Sequence, residues 1–167
     1  MVIDKLKRLF RHALATRAHM HRLFPEQALD ELETAVSRAE SEHSAEIRFV
    51  IESELDLHSI LAGKSARDRA REVFGRFGVW DTEANNGVLI YLLIADRRVE
   101  IVADRGFRDL VTHEEWQGVC RAMEVRFRAG QFKEGALAGI AAAGVLAARH
   151  FPPAGARNEL PDRPILL

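Results

Sequence analysis

Asn85-Asn86-Gly87-Val88-Leu89-Ile90-Tyr91-Leu92-Leu93-Ile94, running on into Asp96-Arg97-Arg98-Val99-Glu100-Ile101-Val102-Ala103-Asp104-Arg105-Gly106, decides the fold. Val88 to Ile94 is apolar at every position, which marks a strand covered on both faces. A short polar turn at Ala95-Asp96-Arg97 brings back an alternating strand, Val99 to Asp104, antiparallel to the first. Polar residues gather at both ends of this hairpin, where side chains can serve a site instead of a core.

Upstream, Glu46-Ile47-Arg48-Phe49-Val50-Ile51-Glu52 places Ile47, Phe49 and Ile51 on one face of another strand. A polar loop and a helix opened by Ser65 and Asp68, with Ala66, Ala70, Val73, Phe74 and Phe77 on one side, join it to the central strand. That connection predicts a parallel pair. Pro25 precedes a helix striped with Ala28, Leu29, Leu32, Ala35, Val36 and Ala39. Downstream, Thr112 and Glu115 form a capping box for a helix burying Trp116, Val119, Cys120, Met123 and Phe127. Residues 132–150 make a last helix whose Ala and Gly side chains allow close approach to a neighbour. The predicted order is α–α–β–α–β–β–α–α: an α/β sandwich, a small mixed sheet with a βαββ core and flanking helices on both faces.

Three regions follow from the pattern. Residues 1–22 form one basic amphipathic N-terminal helix, with Val2, Ile3, Leu6, Phe10, Ala13 and Leu14 at helical spacing among Lys5, Lys7, Arg8, Arg11, Arg17 and Arg22. Such a helix either packs its stripe on the domain or a partner, or lies on an anionic membrane. Residues 24–150 form the α/β domain. Residues 151–167, with Pro152, Pro153, Pro161 and Pro164 and no periodicity, read as a flexible tail.

With 47% hydrophobic and 29% charged residues, the 167-residue chain has the balance of a globular domain. Its formal charge of -1 argues against nucleic acid as a partner. The lone Cys120 forms no internal disulfide and suits a reducing compartment. The most apolar run, residues 135–148, is shorter than the ~20 residues that a bilayer requires. The basic start has no long uncharged segment of the secretory kind. The expected location is cytoplasmic, peripheral to a membrane if the N-terminal helix docks there.

The topology sorts polar residues to two rims. Glu52, Glu54, Asp96, Arg97 and Arg98 lie at the carboxyl ends of the parallel strands, where open α/β sheets usually bind ligands. Glu46, Asp81, Glu83, Asn85, Asn86 and Asp104 lie at the opposite rim. Asp81, Asn85, Asn86 and Asp104 offer oxygen ligands of the kind that suit calcium or another divalent cation, with Glu46, Glu83 and Arg105 as further ligand-binding candidates. Asp and Asn also serve loops through local backbone hydrogen bonds. The stretch is not an EF-hand loop: its Gly87 comes one place late, and Leu92 stands where the bidentate Glu belongs. Cys120 to Arg126 has the C-x5-R spacing of cysteine phosphatases but lies inside a predicted helix without glycine, so Cys120 reads as core. The histidines show no zinc spacing, and no glycine-framed serine suggests a hydrolase triad.

Gly78-Val79-Trp80, Asn85 to Ile90, Asp96 to Ile101, Asp104-Arg105-Gly106-Phe107, Phe127 to Phe132 and the Gly135-to-Gly139 helix together resemble the TPM domain. That is the family of thylakoid-lumen, photosystem II repair and receptor accessory proteins, and the resemblance spans residues 24–150. It implies a βαβ-type sandwich. For function it implies relatives of several kinds: acid phosphatases, calcium binders, and accessory factors of membrane complexes. Ala103-Asp104-Arg105-Gly106 departs from the family's more frequent glycine-aromatic-glycine pattern and adds a carboxylate to the rim. The expected function is a non-catalytic accessory or binding module, regulated by a divalent cation such as calcium. It would act near a membrane surface or protein partner reached through residues 1–22. The alternative is a metal-assisted acid phosphatase acting on phosphomonoesters, in which Arg105 offsets phosphate charge.

Overall fold

The computed structural model describes residues 2–153, 155 and 158–167, without the side chains of residues 2 and 3. The part of the N-terminal stripe read at Val2 and Ile3, and the tail at residues 154, 156 and 157, lie outside the described residues. Among these residues the elements are α1 (Val2–Leu14), α2 (Arg17–Leu23), α3 (Glu26–Glu40), β1 (Glu46–Glu52), α4 (Leu57–Leu61), α5 (Ala66–Arg76), β2 (Gly87–Leu93), β3 (Arg98–Ala103), α6 (His113–Arg128), α7 (Phe132–Ala148) and β4 (Ile165–Leu166).

The sheet runs β3-β2-β1-β4. β1 is parallel to β2, with Ile47 beside Val88 and Ile51 beside Leu92, and β3 is antiparallel to β2, with Ile90 opposite Ile101. Every residue of β2 is buried, as a strand apolar on both faces must be. Alternation along the strands divides the core. Ile47, Phe49, Ile51, Ile90 and Leu92 face α3, α6 and α7, while Val50, Leu89, Tyr91 and Leu93 face the residues of α4 and α5. The result is the expected mixed α/β sandwich. The small residues of α7 do allow close approach: a Cβ on Gly139 would lie 2.2 Å from Met123 Sδ of α6. The capping boxes at Ser65/Asp68 and Thr112/Glu115 both form.

Three expectations are corrected. The N-terminal segment is two helices, not one. Ala15 is buried at the break and the Thr16 side chain accepts from His19 N–H to start α2, so a hydroxyl cap ended the apparent periodicity. The loop after β1 contains α4, capped by Asp56, whose carboxylate accepts from Ser59 N–H. The tail is not a flexible appendage. Its final residues add β4 parallel to β1, Leu167 N–H donates to Ile51 O, and Ser53 N–H donates to Leu167 O. Arg48 donates to the carbonyls of Pro161 and Arg163, and Arg163 pairs with Glu26, Asp30 and Glu33 of α3. Lack of periodicity marked absence of an amphipathic element, whereas the sheet edge needed only backbone groups and two apolar side chains.

Two rims and the candidate functional site

At the carboxyl-end rim Glu54 Oε2 is buried without a partner among the described residues, but Asp96 and Glu52 are taken up by the chain itself. Asp96, in the β2–β3 turn, accepts from Arg8 Nε and Nη2 at 2.8–3.2 Å and pairs with His12 Nε2 at 3.2 Å. Burial pushes the Asp96 carboxyl up, but the bonds to His12 and Arg8 outweigh it and hold it at about 2. His12 is itself buried, and its Nδ1 accepts from Leu55 N–H at 3.0 Å. Glu52 receives Arg69 through Nε and Nη2 and the Tyr91 hydroxyl. Burial, then the Glu52 charge, drives the Tyr91 hydroxyl pKa far upward, so it acts only as a neutral donor. The rim that general topology favours for ligands therefore anchors α1 and α5.

The opposite rim is built by two loops knitted through backbone. Asp104 N–H donates to Gly87 O at 2.9 Å, and Gly106 N–H donates to Asn85 O at 2.8 Å. The second contact demands glycine, because a Cβ at 106 would stand 2.5 Å from Asn85 O. Asn85 itself adopts φ 52°, a left-handed conformation that Asn tolerates. Asn86 N–H donates to Thr82 Oγ1 and its amide donates to Ser44 O, which fixes the Asn86 side chain. Asn86 Oδ1 and Asp104 Oδ2 are buried and accept no hydrogen bond among the described residues. Two such oxygens on neighbouring strand ends call for a donor or a cation.

The remaining candidates divide. Asn85 Oδ1 accepts from Arg105 Nε at 2.7 Å, so a guanidinium already engages that oxygen. Asp81 is exposed on the loop before β2. Glu46 is buried at the start of β1, but its carboxylate accepts from Leu160 N–H of the tail, so it holds the chain terminus. Glu83 contributes its backbone N–H to Glu159, again a tail contact. Neither carboxylate joins Asp104.

Beside Asp104 and Arg105 opens a cleft of about 430 Å³, lined also by Arg67, Arg108, His113 and Trp116. These four were not legible as site residues: Arg67 arrives from α5, Arg108 follows the turn after β3, and His113 and Trp116 belong to α6. Only Arg108 and His113 stand near Arg105 in sequence, the one local hint. Cys120 is core as read, within α6. Burial, then the Glu100 and Glu124 charges, pushes its thiol up to about 12, which leaves no thiolate for nucleophilic attack.

The mixed open sheet flanked by helices on both faces defines the class, a small α/β sandwich. The chain belongs to the TPM domain family, whose model matches residues 20–146. The BA42 protein of the psychrophilic bacterium Bizionia argentinensis is similar at 30% identity, with a TM-score of 0.74, over 84% of this chain and 93% of that one. The N-terminal domain of a protein from P. gingivalis shares the fold at 20% identity and a TM-score of 0.63, over 79% of this chain and 83% of that one. No curated protein matches the chain.

Proposed function

We infer that this TPM domain is a non-catalytic binding module whose rim loops are ordered by a divalent cation, calcium before magnesium. The observation that carries the reading is that two oxygens at this rim, Asn86 Oδ1 and Asp104 Oδ2, are buried without a hydrogen-bond partner among the described residues. Both are hard oxygen donors, the type calcium takes. Asp81 and Asn85 lie on the same loop as Asn86 and would add further oxygens, Asn85 on releasing Arg105. A bound cation supplies charge that offsets Asp104 and holds the loops together. What supports the reading is that the Asn86 amide is held through its donor to Ser44 O, and the Asp104 carboxylate through its Oδ1 accepting from Arg105 N–H, which leaves one oxygen of each unengaged.

A second reading is favoured by the cleft beside Asp104. Arg67, Arg105 and Arg108 offer charge to a phosphate, and the alternative of a metal-assisted phosphomonoesterase draws on them. Against it stands the lack of a nucleophile–base pair at that cleft among the described side chains.

Thermal unfolding with chelator, calcium or magnesium at equal ionic strength tests the first reading. Calcium at about 100 times its dissociation constant should add ~2.7 kcal/mol of stability, and Asp104→Ala should remove that gain. An unchanged calcium response in Asp104→Ala sinks the site. Hydrolysis of a phosphomonoester by the calcium-loaded protein, lost in the same variant, moves the assignment to the second reading.

A further inference from the structure

Helix α1 is docked with the wrong side inward for a helix that only completes a core. At about 100° per residue, Leu6, Phe10, Ala13 and Leu14 share one arc, and Arg8 and His12 lie opposite it. The polar side is the one that meets the domain. Arg8 and His12 close on Asp96, and Leu9 at the arc's margin reaches the core on the α5 side of the sheet. The apolar arc is left in solvent: Leu6 and Phe10 are each 65% exposed and Leu14 62%. Helix α4, which packs on α1, adds Leu57 at 57% and Leu61 at 59% exposure. Exposed large apolar groups gathered in this way mark an interaction surface.

We propose that this face of α1 and α4 docks on an anionic lipid surface, with α1 lying in the plane of the headgroups. Charge selects the occupant. Lys7 is exposed on the margin of the arc beside Leu14, Lys5 is exposed on the other flank beyond Leu9, and Arg11, which also reaches Asp96, is largely exposed next to Lys7, although the whole chain has a net charge of -1. An apolar stripe bordered by cations is the pattern that inserts at an anionic headgroup boundary. Insertion across the bilayer is excluded for α1 by length, and no helix among the described residues is long and apolar enough to span a membrane. The Asp96 contacts give the docked face a fixed orientation on the domain. The proposal rests on the reading of this chain as a binding module and is independent of the cation.

The test is co-sedimentation of the full chain, in chelator, with vesicles of phosphatidylglycerol mixed into phosphatidylcholine and with phosphatidylcholine alone. Chelator separates it from the rim, whose own failure shows only in the calcium unfolding scan. Binding to the anionic vesicles is expected, weakened by salt and absent on the neutral ones. The triple variant Leu6→Gln/Phe10→Gln/Leu14→Gln should abolish it. Lys5→Glu/Lys7→Glu should weaken it about tenfold or more. All five positions are exposed, so circular dichroism and unfolding midpoint should stay near those of the parent. No binding to anionic vesicles, or binding that survives the triple variant, overturns the proposal. So does a dimer in sedimentation equilibrium that the triple variant dissolves, since the face then belongs to a second copy.

Discussion

Glu40 shows how one residue at a helix end comes to depend on its tertiary neighbours. It closes α3, and its Oε1 accepts from Ile47 N–H of β1 at 2.7 Å. Burial raises its carboxyl to about 8, with Glu46 and Asp162 adding to the rise against the Ile47 bond. An acid whose pKa rises from 4.5 to about 8 on folding stabilises the fold below pH 4.5 and loses that contribution as pH climbs through 8. Glu40→Gln keeps the acceptor and has no proton to lose. Its unfolding midpoint should therefore exceed the parent's at pH 8 and above, the gap closing toward pH 5. A gap that does not change with pH would refute the assignment. At Gly106 the constraint is geometric and lies in no property of its immediate sequence: the Asn85 carbonyl across the rim denies it a side chain.

At the scale of elements, ion pairs fasten helices to strands. Arg69 of α5 holds Glu52 of β1 at 2.7 Å, and Tyr91 of β2 donates to the same carboxylate. Removing one partner of a buried pair leaves the other charge unsolvated, at a cost of about 3–5 kcal/mol. Arg69 is the partly exposed partner, so Arg69→Ala should fall near the lower end, measured by urea unfolding. Replacing Arg69 and Tyr91 together should cost less than the two single losses summed, because both serve one carboxylate. These contacts explain what was and was not legible. Glu52 and Asp96 were recognised as polar residues at a strand-end rim, and so they are. Their partners, Arg69 and the Arg8/His12 pair, come from separate helices, and periodicity says nothing of which helix face meets which carboxylate. The same gap hid Arg67 and His113 beside Asp104.

For the molecule as a whole, the C-terminal strand closes an edge that the β1 pattern left open. Ile165 and Leu167 pack with the core on the α5 side, and Glu46, Arg48 and Ser53 each hold a backbone group of the tail. Deleting residues 159–167 should cost on the order of 3 kcal/mol from lost apolar burial. It should also promote self-association through the bared edge of β1, seen as a concentration-dependent sedimentation coefficient. A truncated chain that stays monomeric and equally stable would show that the tail merely rests on the sheet.

The sequence by itself determined the hairpin at 85–106, the parallel β1–β2 pair, the capped helices and the inward faces of β2. Alternation, capping chemistry and turn residues are local, and each agrees with the others. The oxygen-rich rim was legible for the same reason, since Asn85, Asn86 and Asp104 flank strands whose register is fixed by burial. Only the tertiary structure decided that the tail is a fourth strand, that Glu46 and Glu83 contact that tail, and that α1 turns its apolar arc outward. Each of those depends on partners distant in the chain. The choice among them is made by desolvation and charge at contacts that exist only once the sheet has formed.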